Sequence, residues 1–328
     1  DDWEGKVNAW PLDEGLIDYV DASYGGPTDE NAAAALNVIA NASFTLSGDT
    51  VDASMITPAL LEDTLQEADG VEANVATGYH AVEFLLWGQD LNGTDAGAGN
   101  RPWTDYAAGD DCTNGNCDRR GEYLKAATDL LISDLEWITA QWAEGGDART
   151  EVMADEDAGI AAMLTGMGSL SYGETAGERM RLGVMLNDPE EEHSCFADNT
   201  HNDHFYNGVG IQSVYLGSYT RVDGTVDKGP SLSDLVAATD EALDMEMKSK
   251  LSAAVLALGR IKTAAESGFT YDMMLARGNE AGEALIMGGV NGLVDQTRSI
   301  ERVIAALVSY GIEIEGSDSL DNPSAVFE

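Results

Sequence analysis

The segment Gly78-Tyr79-His80-Ala81-Val82-Glu83-Phe84-Leu85-Leu86-Trp87-Gly88 sets one imidazole and one carboxylate three residues apart in otherwise apolar company. Side chains at i and i+3 share a helix face, so His80 and Glu83 can point at one spot. A carboxylate among apolar neighbours needs a cation, a proton or several hydrogen-bond donors. A metal ion satisfies both side chains at once; the plainer alternative is a histidine held by a buried acid.

The chain has four histidines, and His193, His201 and His204 crowd into one short acidic stretch. His201 and His204 are again i and i+3 if a helix starts after the cap candidates Asn199 or Thr200. His80, Glu83, Asp198 and His201 would then make a mixed nitrogen and oxygen donor set from two helices, suited to iron, zinc or copper. His193 and His204 read as bystanders on spacing alone. Glu174 and Glu178, one turn apart with Arg179 and Arg181 nearby, read first as an ion-pair network and second as carboxylate ligands. Cys112 and Cys117 bracket the polar loop Thr-Asn-Gly-Asn, which can turn tightly enough to join the sulfurs. Without further thiol ligands a disulfide outranks a zinc site, and it points to an oxidising compartment. Cys195 remains as a buried thiol. No Gly-x-Ser-x-Gly elbow, phosphate loop, dinucleotide fingerprint or His-Glu-x-x-His helix occurs, and no general base is marked by spacing. Metal binding is suggested; catalysis is not demanded.

The elements that must position these residues read as helical. In 328 residues, 17 Lys and Arg stand against 59 Asp and Glu, a net charge of −42. That sign excludes nucleic acid and anionic membrane as partners, while 44% hydrophobic content argues against disorder. No stretch approaches the roughly 20 apolar residues of a membrane span. A helix is expected over about 71–87, with Val71, Val75, Tyr79, Val82 and Leu86 as its apolar stripe. Residues 89–117 read as a long functional loop carrying Arg101-Pro102-Trp103-Thr104-Asp105-Tyr106. Further helices are expected over about 118–144, 154–186, 201–219, 232–267 and 280–310, with an irregular tail after Gly311. Gly145-Gly146-Asp147 divides the chain into domains 1–146 and 147–328. No run alternates with period two, so no sheet is expected. The fold class is all-α, two helical-bundle domains, with a faint echo around His80 and His201 that fits a duplicated four-helix-bundle unit.

Four motifs, NAWPLDEGLIDYVD, GYHAVEFLLWGQD, RPWTDY and SCFADNTHND, fall in order between residues 8 and 203. Together they resemble the imelysin family, in particular its iron-regulated branch. The resemblance implies two bundle-like helical domains, export to the periplasm or outer-membrane surface, and a role in iron uptake beside a transporter or cell-surface component. Early members were described as metallopeptidases from the His-x-x-Glu motif. Residue by residue, the first motif falls on Gly78, His80 and Glu83, and the second on Cys195, Asp198, Asn199, Thr200 and His201. In the family these motifs are thought to converge at the domain interface, with Glu178 and Arg179 lining the same cleft. Two departures stand out. The family usually has helices ahead of the NAWPLDE segment, on which this sequence almost begins, so a site ligand contributed by such helices would not be visible in this sequence. The run Asn202-Asp203-His204 also makes His204 an extra ligand candidate. The expectation is an exported, iron-associated binding protein, its rivals being a metallopeptidase and a surface scaffold.

Overall fold

The computed structural model describes residues 4–21, 32–308 and 312–327. The chain forms two compact units, Asp1–Leu91 with Ala98–Gly146, and Asn92–Gly97 with Asp147–Glu328. It is predominantly helical, and among the described residues no helix is long and apolar enough to cross a membrane. Two small antiparallel hairpins, Ser43–Leu46 with Asp49–Asp52 and Ser218–Thr220 with Val226–Lys228, correct the expectation of no sheet. Strands of three or four residues are too short to print a period-two pattern. The first turns through Ser47 and Gly48, both at positive φ, as tight hairpin turns require.

Helix ends moved where side chains compete for the backbone. The expected helix over 71–87 begins only at Gly78. Ahead of it the Gln66 side-chain oxygen accepts from the Ala76 amide and the Thr77 hydroxyl, and Asn74 donates to the Ala68 carbonyl. These bonds satisfy groups that a helix would otherwise pair. The buried face is His80, Ala81, Phe84 and Leu85, whereas Val71, Tyr79 and Leu86 of the expected stripe are exposed. The expected helix over 232–267 is interrupted at extended Asp240, whose carboxylate caps the Glu241–Glu266 helix by accepting from the Ala242 and Leu243 amides. The 154–186 stretch becomes Glu156–Ser169, a π-helix Leu170–Arg181 and Leu182–Leu186. The long helix expected to reach residue 310 runs Glu280–Leu307, with 309–311 outside the described residues. The tail contributes a short helix, Asp318–Asp321.

In the first unit a buried ion cluster holds the motif helix. Asp18 accepts from Arg101 Nη1 at 2.6 Å and from Arg120 through Nε at 2.6 Å and Nη2 at 3.0 Å. Asp105 accepts from Tyr19, Thr113 and Asn114 at 2.6–2.8 Å. Burial opposes ionisation of Asp105, but the Tyr19, Thr113 and Asn114 hydrogen bonds and the Arg120 charge hold its carboxyl below the usual range. Burial and the bond to Asp105 push the Tyr19 hydroxyl up to about 12. Arg101 also donates from its backbone to the Trp87 carbonyl at 2.9 Å and from Nη2 to the Phe84 carbonyl at 3.4 Å. The Tyr106 hydroxyl donates to the Leu85 carbonyl. The guanidinium therefore meets the Phe84 carbonyl near the end of the motif helix, where the helix dipole favours positive charge. The loop motif Arg101–Tyr106, expected to be functional, is a clamp on this helix. Cys112 and Cys117 are joined by a disulfide at its base.

The second unit packs the Glu156–Ser169 helix, the π-helix, and the Thr200–Leu216, Glu241–Glu266 and Glu280–Leu307 helices around Leu164, Met180, Ile211, Leu258, Val290 and Leu293. The C-terminal tail lies on the π-helix at Gly177, where a Cβ would fall 2.3 Å from that of Ser317, and Ser319 Oγ donates to the Gly177 carbonyl at 3.0 Å.

Replacing Asp18 with Ala leaves two buried guanidinium groups without their shared carboxylate. The expected loss is about 3–5 kcal/mol. Lys125→Ala, which removes an exposed pair with Asp129, should cost no more than about 0.5 kcal/mol. Urea denaturation followed by circular dichroism measures both.

Candidate functional site

The first site is built around Gly78. Its φ is +86°, and a Cβ there would lie 2.8 Å from the Val7 carbonyl oxygen. Glycine thus lets the N-terminal segment cross the start of the motif helix, bringing Asn8 and Trp10 to His80. His80 is only 4% exposed. Its Nδ1 lies 3.0 Å from Glu83 Oε2, its Nε2 lies 3.2 Å from Asn8 Oδ1, and the Trp10 ring packs edge-on at 5.1 Å. The two motif side chains do meet, and they meet each other. In the tautomer with Nδ1–H donating to Glu83, the lone pair a metal would take up is on Nε2, and Asn8 bonds to it only through its amide NH2, turned to face the ring. A carboxylate that orients the imidazole from behind in this way is the common support of a histidine ligand. Asn8, which spacing could not single out, faces the atom that would do the binding.

The second motif lies in the other unit. Asp198, at φ +49°, ends the loop that leads into the Thr200–Leu216 helix. Its Oδ2 accepts from the Gly97 amide at 3.2 Å, while its buried Oδ1 has no hydrogen-bond partner among the described residues. His201 Nε2 lies 3.2 Å from the Asn202 amide nitrogen, and its buried Nδ1 likewise lacks a partner. Burial lowers the His201 pKa and Lys262 adds to this, against the opposing charge of Asp198, so the ring is held in the neutral form a ligand needs. Thr200 Oγ1 accepts from the Ser194 amide at 3.0 Å and shapes the loop, and Cys195 is buried. Arg179 pairs with Glu174 at 3.6 Å, the ion-pair reading of that segment. Glu178 makes no hydrogen bond or ion pair among the described residues.

A buried polar cluster next to this motif had no signature in the spacing. His204 is fully buried, neither ring nitrogen has a hydrogen-bond partner among the described residues, and Tyr271 packs edge-on at 5.0 Å. Burial, then the charges of Arg179 and His201, press the His204 pKa down to about 3, so the ring stays neutral. Glu192 is fully buried beside Asp272 and Thr200. Burial and then the Asp272 charge raise the Glu192 pKa well above 4.5, which favours the protonated acid. Asp272 and Tyr271 stand on the short Tyr271–Leu275 helix, far along the chain from Glu192. Among the described residues no three His, Cys, Asp or Glu side chains already form a group that could hold a metal ion.

Two outcomes follow. Unfolded Glu192 loses its proton near 4.5 and folded Glu192 does not, so its stabilising contribution is complete below that value and declines as pH rises towards the folded pKa. Glu192→Gln, which mimics the protonated acid, should therefore gain in melting temperature relative to the parent between about pH 5 and pH 8. A difference that does not change with pH would mean that Glu192 is ionised. Gly78→Ala combines an unfavourable φ with a backbone collision and should lower stability by about 1–3 kcal/mol, measured by thermal melting.

Comparison with known proteins fits this fold. The sequence profile of the imelysin family matches residues 1–300. No curated protein matches the sequence. Among solved structures, a Parabacteroides distasonis chain described as a "putative iron-regulated protein A precursor" aligns with a TM-score of 0.61 at 16% identity, over 94% of this chain and 76% of that one. At such identity the likeness is one of fold. On the match of the family profile over most of its length, this chain belongs to the imelysin family.

Proposed function

We propose that this protein binds iron, or a similar transition ion, and serves iron acquisition outside the cytoplasm. The observation that carries the reading is the imidazole of His80, oriented through Nδ1 by Glu83 at 3.0 Å so that Nε2 is the presented atom. The proposed donor of the first unit is His80, with Glu83 the carboxylate that orients it and not a ligand to the same ion. Asp198 and His201 are the candidate donors within the second unit, where Oδ1 and Nδ1 are buried without hydrogen-bond partners among the described residues. His204, Glu178 and Arg179 are further residues of the second motif's surroundings. Binding at His80 Nε2 requires the Asn8 side chain, 3.2 Å away, to move aside. Mixed imidazole and carboxylate donors accept iron, and also zinc and copper, so affinity alone does not select the metal.

Export is supported by the Cys112–Cys117 disulfide, which persists in oxidising compartments, and by the description of the Parabacteroides neighbour as a precursor of an iron-regulated protein. The net charge of −42 concentrates cations near the surface. A peptidase reading asks Glu83 to serve as base, yet its Oε2 is committed to His80.

Elemental mass spectrometry on protein from its native source, beside the His80→Ala/Glu83→Ala double variant, tests the proposal. Near-stoichiometric iron that is lost in a folded variant is the expected result. Metal-free protein that also refuses added iron would overturn it. Metal-dependent proteolysis abolished by Glu83→Gln would replace it with the peptidase reading.

A further inference from the structure

We propose that a groove between the Thr200–Leu216 and Glu241–Glu266 helices binds a small amphiphilic anion, a carboxylate or phosphate head on an apolar body. The groove is a shallow depression open to solvent, with a volume of about 690 Å³, within the range of roughly 300–1,000 Å³ typical of small-molecule sites. Phe205 and Leu256 form apolar walls, with Leu256 61% exposed. Gly259 opens the space between them. Mid-helix glycine weakens a helix by about 0.8–1.0 kcal/mol relative to alanine, and a Cβ here would meet only the Phe205 ring, at 3.5 Å. Packing of the protein itself therefore does not demand glycine.

The charge of the groove names the occupant. In a chain with 59 acidic residues, none of those lining the groove is Asp or Glu. Its one charged residue is Arg260, exposed and with no carboxylate, carbonyl or aromatic partner among the described residues. Gln212 and Ser252, on facing helices, also line the groove and make no side-chain hydrogen bond among the described residues. A guanidinium with two uncommitted polar side chains beside an apolar trough matches an anionic head followed by a hydrocarbon body. The net negative charge repels anions at long range, but physiological salt screens that field beyond about 8 Å, leaving Arg260 to decide at contact. A second copy of this chain would bring another −42 to the same face and is disfavoured. None of the proposed metal donors lines the groove, so this inference stands or falls apart from the metal reading.

Isothermal titration of metal-free protein with dodecanoate, dodecyl phosphate and dodecanol, each below its micellar concentration, tests it. One equivalent of dodecanoate or dodecyl phosphate should bind, and the stronger of the two identifies the head group. Dodecanol should bind at least roughly tenfold more weakly, and Arg260→Gln should cost the anion a similar factor. Gly259→Leu should block all three while leaving the melting temperature within a few degrees. No binding of either anion, equal binding of dodecanol, or affinity unchanged in both variants would overturn the proposal.

Discussion

A carboxylate taken fully out of water must be met by charge, and Asp18 is the point at which the first unit solves this problem. Two guanidinium groups meet it, Arg120 with two hydrogen bonds and Arg101 with one. Each arrives from a different part of the chain, so the ion cluster fixes tertiary structure as well as charge. Arg101 then reaches the last carbonyls of the motif helix, and the N-terminal segment that carries Asp18 also carries Asn8 and Trp10 to His80. The orientation of one imidazole is thus tied to a buried ion cluster elsewhere in the unit. Removing either partner of such a cluster leaves an uncompensated charge, which is why its members are less replaceable than surface pairs.

The second unit answers the same physical demand differently. Glu192 lies beside Asp272 in the interior, and burial with the Asp272 charge favours its protonated form. The charge of Arg179 acts on His204, whose ring is kept neutral chiefly by burial. The result is an interior in which His204, Asp198 and His201 present atoms with no hydrogen bond among the described residues. Such atoms are costly in isolation, and a bound cation is one way to satisfy the oxygen and the imidazole nitrogens together.

Helical class and the meeting of His80 with Glu83 were legible because both depend on spacing of three to four residues. So was the disulfide of Cys112 and Cys117, closed by a loop of four residues. The start of the motif helix was hidden because its fate depends on Gln66 and Asn74 side chains that take over backbone partners. Asn8 was hidden because it meets His80 across 72 residues of sequence, and Glu192 with Asp272 for the same kind of reason. The Arg101–Tyr106 motif was visible as a motif, but its purpose was not. Only the partners of Arg101, namely Asp18, Asp105 and the Phe84 carbonyl, show that it clamps a helix. Long-range polar satisfaction is the level at which a single sequence stops being readable.

Crystals of the iron-loaded protein, with diffraction recorded on both sides of the iron absorption edge, test the central claim most directly. The account predicts an anomalous peak within coordination distance of His80 Nε2, with the Asn8 side chain turned away and Glu83 still holding Nδ1. A peak confined to exposed carboxylates, with Asn8 still against His80 Nε2, would contradict it.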